Sequence, residues 1–174
     1  MFSKRSQFII GAILLAALSR LLPHPPNFSP IGALALFGGA MLPSRWLGLL
    51  LPLSAMLISD LVLGFHNMIA SVYLSFGLTV AIGFVMGSDI KLGKVVLASL
   101  SASVLFFLIT NFHMWMVADS FYARNWQGLM ACYTAAIPFF RNSVISDLFY
   151  SAILFGSFYF AESKLPALQR VVAK

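Results

Sequence analysis

Charge is scarce in this chain. Of 174 residues, 11 are Lys or Arg and 5 are Asp or Glu, so charged residues make up 9% of the sequence. Hydrophobic residues make up 60%, well above the roughly one-half usual in globular domains. A soluble core explains this poorly, because the long apolar segments lack polar faces. Cysteine occurs once, as Cys132, which excludes an internal disulfide and any CxxC pair. No GxSxG, HExxH or Walker A sequence is present, so the common hydrolase and ATP-binding signatures are missing. Strictly alternating segments of about 10 residues, the mark of membrane β-barrel strands, are absent too. So are internal repeats and low-complexity stretches. The net charge of +6 comes without a basic patch interleaved with aromatics, so nucleic acid is not an expected partner.

What is present is hydrocarbon. Mean hydropathy is +0.93, and several apolar runs approach the ~20 residues that span a bilayer as a helix. The expected class is an all-α membrane protein surrounded by the lipid bilayer. The length is that of one domain, residues 1–174. Breakers divide it. A first helix over residues 6–22 stops at Pro23-His24-Pro25-Pro26, where prolines prevent helical continuation. A short second helix over 31–42 ends before Pro43, a third covers 46–63 with Pro52 inside, a fourth 68–86, a fifth 95–117 and a sixth 141–161. Pro138 is expected to split off residues 129–140 as a separate short helix. The start, Met1 to Arg5 followed by an apolar run, has the shape of a signal peptide with a weak cleavage pattern at Ala17-Leu18-Ser19. The expectation is an uncleaved first helix, because the run continues to Leu22 and the charge topology needs this crossing.

Charge orients the bundle. With the N-terminus inside, six crossings place Lys4, Arg5, Arg45, Lys91, Lys94, Lys164, Arg170 and Lys174 on the inner side, as the positive-inside bias requires. If the short second helix did not cross, Lys91 and Lys94 would fall outside. Six transmembrane helices with both termini cytoplasmic are therefore expected. The same threading gathers Arg20, His24, Asp60, His66, His113, Arg124 and Arg141 near the outer side.

Ionisable groups in hydrocarbon are costly and usually mark a site. The loop from Pro23 to Pro30 holds four prolines and either walls a binding site with His24 and Asn27 or simply connects two helices. Asp60, Arg20 and Arg141 read as ligand groups or as ion pairs that lock helices together, and Arg20 also as a snorkelling side chain. Ser143, Asp147, Tyr150 and Ser151 share one helix face, which meets a cavity or another helix. Three imidazoles, His24, His66 and His113, could hold zinc, nickel or cobalt. They lack ligand spacing, so neither a metal nor another cofactor is expected. The aromatic and polar stretch containing Asn111, His113, Trp115, Tyr122, Arg124 and Trp126 reads as a lid over a planar ligand or as an interfacial belt. The expected substrate-contact set is thus His24, Asn27, Asp60, His66, Asn111, His113, Trp115, Tyr122, Arg124, Trp126, Arg141 and Asp147. Ala12 and Ala16, one turn apart, permit close approach of another helix, within the protein or from a partner.

Ala12-x-x-x-Ala16 on a small-residue first helix resembles the alanine motif of the S components of energy-coupling factor (ECF) transporters. Six short helices, inner termini and a polar outer half resemble them as well. The segment Asn27-Phe28-Ser29-Pro30-Ile31-Gly32-Ala33-Leu34-Ala35-Leu36-Phe37-Gly38-Gly39 is similar to one group of S-component-like bacterial membrane proteins. The resemblance covers nearly the whole chain. It implies a subunit of the bacterial cytoplasmic membrane that captures a small-molecule substrate, a vitamin or metal-related micronutrient, and performs no catalysis. It further implies docking through Ala12 and Ala16 to a transmembrane coupling subunit that carries two ATPases. The outer polar residues match no thiamin, riboflavin, biotin or folate signature. A corrinoid is a further candidate, since a histidine or Cys132 could ligate cobalt. The alternatives are a structural or assembly membrane protein, or an intramembrane enzyme using Asp60 or Asp147.

Overall fold

The computed structural model describes residues 3–65, 67–117 and 119–169. Among them are six α-helices, one short 3-10 helix and no strand. The helices are α1 (Lys4–Ser19), α2 (Ile31–Met41), α3 (Arg45–Leu63), α4 (Ile69–Met86), α5 (Leu92–Met116) and α6 (Trp126–Lys164). Four of them, α3 to α6, are long and apolar enough to cross a membrane. α1 has 16 residues and α2 only 11.

Side-chain caps start three of the helices. Ser3 Oγ accepts from the amide of Ser6 in α1, Ser44 Oγ from that of Leu47 in α3, and Asn125 Oδ1 from that of Gly128 in α6. Each satisfies a first-turn donor that has no partner within its own helix. Contacts between the ends fix the directions. Arg5 pairs with Glu162, so the start of α1 meets the end of α6. Arg20, just past α1, pairs with Asp60 near the end of α3. His113 near the end of α5 lies 2.8 Å from Ser71 Oγ at the start of α4. Tyr73 near the start of α4 bonds Asp60, and α2 runs alongside α6 with Gly32 at Asp147 and Phe37 at Phe155, so the odd-numbered helices run one way and the even-numbered ones the other.

α2 is the hub of the bundle. Every one of its residues is buried, and it packs against all five other helices. Its sequence, IGALALFGGAM, is apolar all round, which is the composition of a helix with no solvent or lipid face. Its glycines let backbones meet. A Cβ on Gly39 would strike the carbonyl of Val80 in α4, and one on Gly38 would lie 2.8 Å from Pro52 Cγ in α3.

An 11-residue helix rises only about 16 Å, roughly half the hydrocarbon thickness. The Pro-rich loop supplies the remaining depth. Asn142 Nδ2 donates to the carbonyl of Pro26 (3.0 Å), and Ser146 Oγ donates to that of Ser29 (3.2 Å). Asn142 and Ser146 are one turn apart on α6, so the loop descends along α6 before α2 begins. Asn27 takes a left-handed conformation (φ 60°) in this descent, which asparagine tolerates better than most residues.

The expected break at Pro138 does not occur. α6 runs without interruption for 39 residues, about 58 Å. Pro138 removes one amide donor, but α5 holds the helix on both sides of it. The ring of Phe107 packs 5.3 Å from Tyr133 and 4.7 Å from Phe140, and Tyr133 Oη donates to the carbonyl of Leu108 (2.7 Å). In an apolar setting the backbone has no water to bond with, which favours continuing the helix over opening it. Arg141 is consequently not at a helix start. It lies 15 residues beyond Trp126, about 22 Å along the helix.

Ala12 and Ala16 are half-buried against the core cluster. The open face of α1 carries Leu14, Leu15 and Leu18 instead.

Candidate functional site

The two halves of the bundle differ in chemistry. Towards the Arg5 end, Phe37 packs edge-on against Phe155 (5.0 Å) and Phe158 (6.0 Å). Phe8 packs on Phe158 (5.8 Å), and the Arg5 guanidinium lies 4.6 Å over that same ring. This layer is aromatic. Towards the other end, hydroxyls replace it. Ser75 Oγ donates to the carbonyl of Ser71 and Thr79 Oγ1 to that of Ser75. Ser99 Oγ also bonds Ser151 Oγ at 2.9 Å.

Above the aromatic layer lies a cavity of about 350 Å³ enclosed by the Pro-rich loop, α4, α5 and α6. Its mouth is at His24 and Asn27, both exposed. Its floor is Gly32, Thr79 and Asp147, all buried. Phe76 and Phe106, with ring centroids 5.3 Å apart, give it aromatic walls. A second cavity of about 290 Å³ adjoins it between α5 and α6, and the two share Asn27, Phe106, Thr110, Asn111, Met114 and Ser143.

Asp147 dominates the floor. It is 7% exposed, and its Oδ2 accepts from Ser103 Oγ at 2.6 Å. Its Oδ1 lies over Gly32 in the first turn of α2, where a Cβ would overlap it. Glycine is required here because the carboxylate occupies the space a side chain would take. The first-turn amides of α2 have no partner within their own helix, and a carboxylate beside them is favoured by the helix dipole.

The expected contact residues divide into three groups. His24, Asn27, Asn111 and Asp147 line the first cavity, and Tyr122 lines the second together with Asn27 and Asn111. Asp60, His113, Trp115 and Arg124 are engaged in protein contacts and line neither cavity. Asp60 is 1% exposed; its Oδ1 lies 2.6 Å from Arg20 Nη1 and its Oδ2 accepts from Tyr73 Oη at 2.9 Å. The Arg20 contact is off the hydrogen-bond direction, so it holds as an ion contact. Trp115 Nε1 donates to the carbonyl of Ala123 (2.9 Å) and Arg124 Nη2 to that of Val117 (2.7 Å). Those two bonds shape the turn between α5 and α6. Trp126 and Arg141 are exposed and also line neither cavity. His66 lies outside the described residues. Among the described residues no group of three or more His, Cys, Asp or Glu is arranged to hold a metal ion.

Thr79, Ser103, Phe76 and Phe106 also build the site and were not expected from the sequence. A signal for the hydroxyls was there: Ser71, Ser75 and Thr79 recur every four residues in α4, as Ser99 and Ser103 do in α5. In otherwise apolar helices such a row marks the face turned from lipid.

Residues 2–168 match the model of a family described as a family of unknown function (DUF6580), and the chain belongs to that family. No curated protein matches the chain, and no solved structure does.

Proposed function

We propose that the chain is a substrate-capturing membrane subunit of the ECF S-component kind. In this reading it sits in a bacterial cytoplasmic membrane and takes a small micronutrient into the cavity between the Pro-rich loop, α4, α5 and α6. A separate coupling subunit with ATPases provides the energy. One observation carries this reading. A cavity of about 350 Å³, with a polar buried floor and a mouth at exposed loop residues, lies over a closed aromatic layer. Its volume falls within the roughly 300–1,000 Å³ of small-molecule sites. A mouth at the loop end, away from the aromatic layer, is what a capture subunit needs before its partner acts.

The test is a binding screen of vitamins and corrinoids on the purified chain in nanodiscs. A member of the screen is expected to bind saturably. Thr110→Trp, which fills the cavity from a half-buried wall position, should abolish that binding while thermal unfolding shifts only slightly. If no compound binds, or if Thr110→Trp binds as well as the wild type, the structural or assembly role takes precedence.

Orientation follows from charge. Lys4 and Arg5 start α1, Arg45 starts α3, and Lys91 and Lys94 flank the start of α5. Asp89 does not cancel the last two. Lys94, then Lys91, hold its carboxyl below the usual range, so it carries one negative charge against two positive ones. The positive-inside rule puts this end in the cytoplasm and the cavity mouth outside. Lys91→Cys in a Cys132→Ser background should react with a membrane-impermeant thiol reagent only after the cells are opened. Labelling in intact cells would reverse the orientation.

A further inference from the structure

We propose that the cavity floor selects a cation: the solute enters with a protonated nitrogen directed at Asp147. This rests on the capture reading and names the substrate class for the same site. The start of a helix at a cavity floor is ordinarily an anion site. Here that position is already filled. The Asp147 carboxyl lies over Gly32 at the start of α2, so an arriving anion would find that helix start covered by an acid.

The charges around the cavity support the same sign. Its ionisable lining groups are Arg20, His24 and Asp147. Arg20 is held by Asp60 at 2.6 Å. His24 stands at the exposed mouth, its Nδ1 3.1 Å from the carbonyl of Pro25. Asp147 forms no ion pair among the described residues. Ser103 gives it one hydrogen bond, and the dipole of α2 offsets only about half a unit charge. Among the described residues Asp147 is thus the acid lining the cavity that no cation pairs. Phe76 and Phe106 wall the space above it, and aromatic faces also attract cations. The fitting solute is a flat apolar body carrying an ammonium or a protonated ring nitrogen.

Three probes of one shape separate the charge states: benzylamine, benzyl alcohol and benzoate, each titrated at neutral pH into the full chain in nanodiscs. Benzylamine should bind about tenfold more tightly than benzyl alcohol, the scale of one charge-assisted hydrogen bond, and benzoate more weakly than either. Asp147→Asn keeps the shape over Gly32 and should erase the advantage of benzylamine over benzyl alcohol. The ranking on the wild-type chain stands even if the variant fails to fold. Equal binding of all three, a preference for benzoate, or an amine preference that survives Asp147→Asn overturns the inference and leaves the capture reading in place. Binding of none of the three also overturns it. The vitamin and corrinoid screen with Thr110→Trp then decides separately whether capture stands.

Discussion

Gly83→Val is expected to prevent the bundle from assembling. Gly83 in α4 faces the backbone of α2, where a methyl group would lie 2.9 Å from Ala40 N and 3.1 Å from the carbonyl carbon of Gly39 and would overlap the Leu36 carbonyl. The neighbours are backbone atoms, so no rotamer change relieves the overlap. α2 cannot retreat either, since it is enclosed by all five other helices. Overpacking of a close-packed site costs about 1–3 kcal/mol for a methylene-scale insertion. Gly83→Ala should therefore lower the melting temperature markedly, and valine should exceed what a marginally stable fold of about 5–15 kcal/mol tolerates. Gly77 lies in the same helix with nothing within 4 Å of an added Cβ, so Gly77→Ala is the control and should be near neutral. Size-exclusion profiles and thermal unfolding in detergent give the readout. A monodisperse Gly83→Val protein melting with the wild type would mean that the α2–α4 crossing is not as close as described.

Asp60→Ala should destabilise the protein by about 3–5 kcal/mol, the usual cost of leaving a buried charge without its partner. Arg20 would then keep only neutral acceptors, the carbonyl of Met56 (3.3 Å) and Ser59 Oγ. Arg20→Met should be comparably harmful, because Asp60, 1% exposed, would be left with Tyr73 alone among the described residues. The double variant Arg20→Met/Asp60→Leu should recover much of the loss, since removing both charges also removes their desolvation cost. A double-mutant cycle on melting temperature and chemical unfolding measures the coupling. Additive single effects, or single variants as stable as the wild type, would show that the pair is not a lock between α1 and α3. Asp60 lines neither cavity, so surviving Asp60→Ala protein should keep most of its ligand affinity.

The helices were legible because they depend on local sums. Length, apolar content and breakers are properties of consecutive residues, and the expected segments near 31–42, 46–63 and 68–86 match α2, α3 and α4 to within a residue. Pro138 is the instructive exception. A rule about one residue and its neighbours predicted a break, but Phe107, more than thirty residues away in the chain, packs on both sides of it and the helix continues. Arg141 moved with that error, from a helix start facing a site to an exposed position part-way along α6.

The polar face of α6 was readable from its spacing, but what it faces was not. Ser143 and Asp147 turn to the cavity, whereas Ser151 bonds Ser99 across a helix interface. Likewise the sequence showed a shortage of acids, yet gave no means of deciding that Asp60 belongs to Arg20 or that Asp147 belongs over Gly32. By itself it determined an all-helical membrane chain, the bounds of its middle helices and a proline-rich loop before the second; it read six crossings, where four helices are long and apolar enough to span and the short second one is enclosed by the others. The tertiary structure decided which charges are neutralised and which one is left facing a cavity. Pairing across 40 to 115 residues depends on how whole helices pack, and a period of 3.6 residues carries no information about the partner on the opposite side.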